Sequence, residues 1–177
     1  MHLDLEEQIA VLFLKGYEMR PKPFLPEVLN GDNLYIRDKT SRMVWHRCKN
    51  RILYADTDRS QVVYHSNYLR YFEFGRASLM RDTGYAYSEI EKEGYIYPVI
   101  ELGVNYYTPL YYDDPMWIYT KPSKLERVRL QFDYIITHHE TGEIVCKGFT
   151  KHCAINSSGK PSRIDEKTVH LWKIFPK

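Results

Sequence analysis

The chain is organised around residues 54–85, which read YADTDRSQVVYHSNYLRYFEFGRASLMRDTGY. It begins with a loop that carries two acids, Asp56 and Asp58, and continues as a helical run with almost no polar face. A helix that is apolar nearly all round has to be enclosed by other elements. We therefore expect the rest of the chain to wrap this helix, with the functional site near Asp58 and the helix start.

The ends of this helix carry their own signals. Asn67 or Ser66 can cap its start, because a side-chain oxygen there satisfies first-turn amides that have no intrahelical partner. The helix is predicted to run to about Thr83 and to stop at Gly84, a residue type that commonly ends helices. A second, short helix is predicted over residues 87–93.

Beyond Gly94 the hydrophobic pattern changes from helical to alternating, which is typical of strands. The clearest strand is predicted over residues 126–138, where apolar residues from Val128 to Ile136 alternate with polar ones. Further strands are predicted over residues 43–54, 95–107, 115–125 and 143–156. An antiparallel sheet of about five strands can curl around one apolar helix, so the predicted fold class is α+β.

Both ends of the chain are less regular. Residues 3–16 suit a short amphipathic helix, and residues 20–42, rich in Pro, Gly, Asn and Asp, read as an extended linker or wrapped arm. Two interpretations of this extension remain open. It could be a tail without a chemical role, or it could cover the core or bind a second subunit. The last residues could include a short helix over 165–172.

Composition narrows the classes of function. The net charge of +2 is too small to indicate a nucleic-acid partner. Cys48, Cys146 and Cys153 have neither metal spacing nor the even number of a disulfide framework, so we expect no metal site and a reducing compartment, the cytoplasm. The start of the chain lacks signal-peptide features, and its apolar run is too short to cross a bilayer. The 16 tyrosines suit strands that line a cleft or a subunit interface.

Three motifs follow one another in the sequence. They are YADTDRSQVVYHSNYLRYFEFGR at 54–76, VNYYTPLYYDDP at 104–115 and KLERVRLQFDY at 124–134. With them the chain resembles the hotdog-fold acyl-CoA thioesterases of the 4-hydroxybenzoyl-CoA thioesterase type over about residues 45–155. The resemblance implies a hotdog domain, a sheet wrapped around one long central helix, at residues 43–158. The extension then covers residues 1–42 and the tail residues 159–177.

The resemblance also implies a reaction, hydrolysis of an acyl-CoA to free acid and CoA. It assigns catalysis to Asp58 and to the backbone N–H of His65. A thioester carbonyl gains negative charge on attack, and a helix N-terminus offers unpaired N–H groups and about half a positive charge. A nearby carboxylate can act as nucleophile or as general base on water, and the sequence leaves both open. Asp56 is expected to shape the loop.

Residues near the helix start are candidates for substrate binding. Tyr64 could line the pocket or pack in the core. Asn67 is expected at the helix start. Glu73 could reach the acyl group, or it could form a buried or inter-subunit ion pair with Arg76, three residues away on the helix. The side chain of His65 could touch the substrate, although its backbone is the stronger candidate.

The coenzyme A moiety is part of the substrate, and no separate cofactor is expected. By resemblance its phosphates would contact Lys124, Arg127 and Arg129, which otherwise form an ordinary solvated strand face. Alternation predicts that Arg127 and Arg129 share one face. The resemblance implies that two sheets join edge to edge in a homodimer or homotetramer with shared active sites, which also covers exposed sheet edges.

One residue departs from the family pattern. Gln61 stands where the family usually has Gly, and a positive φ at this position would strain a Gln. This departure and the extension support a rival function, a non-catalytic protein that binds or senses acyl-CoA, whereas the intact Asp58 motif speaks against it. A second rival is a dehydratase of hydroxyacyl thioesters, which would need an acid on the helix paired with a His. The acyl group, and CoA versus an acyl-carrier protein, stay open.

Overall fold

A computed structural model describes residues 21–176, and the helix predicted at residues 3–16 lies outside them. The strands are β1 (Pro26–Leu29), β2 (Asp32–Asp38), β3 (Val44–Arg51), β4 (Tyr95–Ile96), β5 (Val99–Tyr106), β6 (Pro115–Leu125), β7 (Arg129–His138), β8 (Ile144–Cys153) and β9 (Ile155–Asn156). The α-helices are α1 (Asn67–Asp82), α2 (Tyr87–Lys92) and α3 (Glu166–Ile174). The predicted combination of helices and antiparallel strands is confirmed.

The main sheet has seven strands in the order β1-β2-β3-β6-β7-β8-β5, so the prediction of about five strands was too low. The additional strands, β1 and β2, come from the segment predicted as a linker or arm. They form a hairpin whose turn contains Asn30 and Gly31, both with positive φ. Asn-Gly is a favoured pair for such turns, so this hairpin had a local signal in the sequence.

Helix α1 packs one face against β3, β6 and β7. Gly75 lies so close to β6 that a Cβ there would come within 2.5 Å of Thr120 Oγ1. The opposite face carries Arg70, Glu73 and Phe74, all exposed. The prediction of a helix that is apolar all round and enclosed by the sheet was therefore wrong, because the polar residues of the helix collect on one side.

Both faces of the sheet bury apolar side chains. The larger core lies on the α1 side and includes Phe72, Leu79, Ile118 and Ile136. The tail helix α3 is capped at its start by Asp165, whose carboxylate accepts a hydrogen bond from the Thr168 N–H at 2.7 Å. A smaller cluster on the other face contains Phe24, Ile36, Trp45, Tyr119 and Ile135.

Strand β5 forms one edge of the sheet. Its residues Val99, Ile100 and Leu102 expose between 45% and 49% of their surface. An edge strand with exposed apolar side chains is suited to pairing with another strand.

In residues 21–176 no helix has the length and apolar character needed to cross a membrane. The three cysteines form no disulfide.

Candidate active site

The loop between β3 and α1 is held to the segment that leads into β6. The amide of Ile52 donates to the Asp114 carbonyl at 3.0 Å, and the amide of Val63 donates to the Leu110 carbonyl at 2.9 Å. Within the loop the Tyr64 amide donates to the Asp56 carbonyl at 2.9 Å. These backbone bonds bring both predicted catalytic groups into one short loop at the end of the sheet where β6 begins.

Asp58 lies at the exposed tip of this loop. One carboxylate oxygen, Oδ1, accepts a hydrogen bond from the Ser60 N–H at 2.7 Å, and the Asp58 carbonyl accepts one from the Gln61 N–H at 2.9 Å. No residue within 21–176 donates to the second oxygen, Oδ2. One carboxylate oxygen thus orients the side chain while the other remains accessible to water or substrate.

Gln61 has a φ of +63°, in the left-handed region. The strain predicted for a Gln at this position is therefore present, since a side chain with a Cβ pays about 1–2 kcal/mol in this conformation. The loop nevertheless keeps a tight turn, because the Asp58 amide donates to the Val62 carbonyl at 2.9 Å.

Asp56, in contrast to Asp58, is buried, with only 2% of its surface exposed. Its carboxylate accepts a hydrogen bond from the Leu53 amide at 3.1 Å and forms an ion pair with Arg70 at 3.0 Å. Its carbonyl accepts a hydrogen bond from Asn67 Nδ2 at 2.8 Å. These contacts agree with the predicted loop-shaping role of Asp56, and they tie the loop to the first turns of α1.

The start of α1 is not capped by a side chain. Ser66 makes no capping hydrogen bond, and Asn67 donates to Asp56 rather than accepting from the helix, so the predicted cap was wrong. No described residue accepts a hydrogen bond from the His65 amide. Within this part of the chain the His65 N–H thus has no acceptor, and it lies next to the positive end of a 16-residue helix.

Aromatic side chains surround this loop. The rings of Tyr64 and His65, both exposed, lie 4.3 Å apart, and the rings of Tyr54 and Tyr112 lie 5.7 Å apart. Tyr111 pairs with Val62 of the loop and is 51% exposed. Tyr64 is thus at the surface of the site rather than in the core of the chain, and the tyrosines provide an apolar, polar-tipped surface around Asp58.

Glu73 and Arg76 point in different directions on α1. Glu73 is exposed and lines a cleft of about 390 Å³ together with Leu53, Asp56 and Phe74. No ion pair joins Glu73 to Arg76 within residues 21–176, which excludes the predicted pairing inside one chain.

Arg76 instead contacts a buried histidine. Its Nη1 lies 2.9 Å from Nε2 of His152, whose Nδ1 donates to the Tyr97 carbonyl at 2.8 Å. Burial and the adjacent guanidinium lower the pKa of His152 to about 4. The His152 ring is therefore neutral at pH 7, with its proton on Nδ1. Sequence patterns alone did not identify this contact, because the two residues are 76 positions apart.

Lys124, Arg127 and Arg129 are all exposed, but they lie far from Asp58 in the same chain. Lys124 is near the end of β6, whereas the Asp58 loop contacts the residues just before the start of β6. Eleven residues of strand separate the two ends by about 33 Å. Arg127 lies in the bend before β7 and not on the strand, so the predicted shared strand face with Arg129 was wrong.

Two residues of the site had no assigned role before the structure. Arg70 pairs with Asp56, and Tyr106 donates a hydrogen bond to the His65 carbonyl. Both lie inside the motifs that carry the resemblance, but their partners are 14 and 41 residues away in the sequence. In the described part of the chain no three His, Cys, Asp or Glu residues cluster in a way that could hold a metal ion.

Comparison with known proteins adds to this geometry. The family model described as the thioesterase-like superfamily matches residues 52–171. A provisionally named acyl-CoA thioesterase of Bacillus subtilis, YneP, is 34% identical over 126 residues, which cover 71% of this chain and 86% of the relative. The acyl-CoA thioester hydrolase YbgC of Escherichia coli is 30% identical over 90 residues, which cover 51% of this chain and 67% of the relative.

A solved structure gives a similar result. The crystal structure of a DHNA-CoA thioesterase from Staphylococcus aureus superposes with a TM-score of 0.69 at 30% identity. The superposition covers 73% of this chain and 89% of that chain. Strands β1, β2 and β3 lie before the residues that the family model matches.

Proposed function

This chain belongs to the thioesterase-like superfamily, and from that membership we propose that it is an acyl-CoA thioesterase in which Asp58 and the His65 amide perform the reaction. The observation that carries the proposal is their placement in one short loop. Among residues 21–176, one carboxylate oxygen of Asp58 has no hydrogen-bond donor and the His65 amide has no acceptor. The named relatives support the class of substrate.

The His65 N–H would donate to the thioester carbonyl oxygen, where negative charge develops during attack. A donor of this kind typically contributes about 3 kcal/mol of transition-state stabilisation. Asp58 would either attack the carbonyl carbon to give a mixed anhydride, which water then hydrolyses, or remove a proton from the attacking water. In both routes the C–S bond breaks, the CoA thiolate leaves and takes up a proton, and the free acid remains.

We propose further that the active unit is a dimer in which the two β5 strands pair. Val99 and Leu130 both pair with His152, so β5 begins at the sheet end that carries the basic residues. β5 ends at Tyr106, which bonds to the Asp58 loop. Antiparallel pairing of two such strands would place the basic end of one chain beside the Asp58 end of its partner, where it could hold the phosphates of coenzyme A.

Light scattering at micromolar concentration tests the dimer. We expect twice the mass of the chain for the wild type and the mass of one chain for Leu102→Lys, which places a charge on the exposed edge. A wild type that is monomeric at these concentrations would exclude the shared site.

The activity is tested by measuring free-thiol release from a panel of acyl-CoAs with short, long and aromatic acyl groups. We expect release from at least one substrate by the wild type and a loss with Asp58→Asn. The matched control is Asp32→Asn, because Asp32 is also exposed and accepts a hydrogen bond from the amide two residues later, Leu34, at 2.8 Å. Tight binding of acyl-CoA without thiol release would instead establish a non-catalytic binding protein.

A further inference from the structure

Tyr106 on the edge strand β5 connects this strand to the start of α1. Its hydroxyl donates a hydrogen bond to the His65 carbonyl oxygen across 2.8 Å. We propose that Tyr106 is a positioning residue, which fixes the backbone at the start of α1 and so orients its free N–H groups toward the thioester. The inference rests on the proposed function, because it explains how the proposed oxyanion donor keeps its direction.

The ring of Tyr106 is itself held in place. It packs edge-on against the ring of Tyr68, with centroids 5.3 Å apart. Tyr68 is 3% exposed, whereas Tyr106 is 45% exposed. A buried partner on one side and a hydrogen bond at the tip leave the Tyr106 side chain little freedom, even though it lies at the surface of the chain.

The hydrogen bond holds a carbonyl that lies just before α1. Ser66 is the N-cap residue of the helix, so its carbonyl is the first that can accept a hydrogen bond within the helix, and the His65 carbonyl precedes it. The Leu69 amide accordingly donates to the Ser66 carbonyl, at 3.1 Å, and not to His65. The His65 carbonyl is thus available to Tyr106, which holds it from outside the helix.

Fixing this carbonyl also fixes the amides beside it. The peptide that joins His65 to Ser66 is planar, so the direction of its C=O determines the opposite direction of the Ser66 N–H. The same constraint limits rotation about the backbone of His65, whose own N–H is the proposed donor. Preorganised donors are effective because they need no reorientation when charge develops in the transition state.

The test is Tyr106→Phe, which removes the hydroxyl and keeps the ring that packs on Tyr68. Since a neutral hydrogen bond contributes about 1 kcal/mol, we expect kcat for thiol release to fall about fivefold, with KM changed by less than about twofold. The melting temperature should fall by no more than about 2–4 °C, the shift that a loss of about 1 kcal/mol gives in a chain of this size. The matched control is Tyr107→Phe, because no described residue hydrogen-bonds to the Tyr107 hydroxyl.

A second measurement does not depend on activity. In ¹H–¹⁵N spectra of the full chain, the Ser66 amide resonance should move in Tyr106→Phe and stay in place in Tyr107→Phe, because a hydrogen bond to a carbonyl polarises the amide of the same peptide. If the wild type releases no thiol from any acyl-CoA but this shift occurs, the proposed function fails and the backbone contact stands.

Three results would overturn the inference. The first is a Tyr106→Phe variant with the kcat of the wild type. The second is an equal loss in Tyr107→Phe, which would show a general effect of removing a tyrosine hydroxyl near the end of β5. The third, which also decides the matter if the wild type is inactive, is a Ser66 resonance that does not move in Tyr106→Phe.

Discussion

The two halves of the loop before α1 contain the same chemical group in opposite environments. In the first half Asp56 is 2% exposed and bound to Leu53 and Arg70. In the second half Asp58 is exposed, and only one of its two carboxylate oxygens has a partner within residues 21–176. A carboxylate with both oxygens bonded can hold a loop, whereas one with an unbonded oxygen can react.

The largest expected effect comes from the exposed half. We expect Asp58→Asn to lower kcat for thiol release about a thousandfold, within the range of 10² to 10⁴ for loss of a general base. The melting temperature should not change, because the amide oxygen of Asn can still accept from the Ser60 N–H. Thermal unfolding and steady-state kinetics on the same preparation check both expectations.

Two results would contradict the different roles of Asp58 and Asp56. A variant with full activity would remove its assigned role. A large loss of stability would show that the exposed carboxylate holds the loop as Asp56 does. Asp32→Asn, with the same local hydrogen bond in a different loop, should change neither quantity.

A substitution of Asp56, in the buried half of the loop, should have a smaller effect, and the main change should be in the stability of the fold. Asp56→Ala removes the acceptor for the Leu53 amide and the partner of Arg70, so we expect the free energy of unfolding to fall by about 2 kcal/mol. Activity should fall as well, because the loop that presents Asp58 loses its attachment. Urea denaturation measures the stability change, and an unchanged midpoint would contradict the structural role of Asp56.

Gln61 lies in the exposed half of the loop, and its substitution by Gly should raise the stability of the fold, whereas Asp56→Ala should lower it. Gln61→Gly removes the strain of a positive φ, so we expect the free energy of unfolding to rise by up to about 1 kcal/mol, since glycine's larger chain entropy offsets part of the gain. Urea denaturation beside Gly31→Ala, which should destabilise a turn with a φ of +76°, tests the sign. A lower stability of Gln61→Gly would mean that the Gln side chain makes a compensating contact.

The smallest effect is expected for Arg70→Gln. The Arg70 side chain is 66% exposed, so its ion pair with Asp56 is screened by water and should contribute about 0.5 kcal/mol. Urea denaturation at low and high salt should show this difference shrinking as salt rises. A loss as large as that of Asp56→Ala would mean that the ion pair, and not the amide hydrogen bond of Leu53, holds the buried half of the loop.

The parts of the fold that depend on local patterns were predictable. Alternation predicted strand β7 to its last residue, His138, and Gly84 marked the end of α1 within two residues. The sequence pattern predicted too few strands in the sheet, because the segment that forms the hairpin of β1 and β2 is rich in turn residues and was interpreted as a linker. Its Asn-Gly turn was a local signal, but the pairing of β2 with β3 depends on apolar side chains from several strands.

The candidate site divides in the same way. Asp58 and the His65 amide belong to one continuous motif, so the closeness of a carboxylate and a helix start could be predicted from the sequence. Three contacts or positions depend on how distant segments pack: Tyr106 holds the His65 carbonyl, Arg76 contacts His152 instead of Glu73, and the basic residues lie at the other end of β6. Spacing within a helix or loop follows from local backbone geometry, whereas contacts between distant segments follow from strand register and core packing.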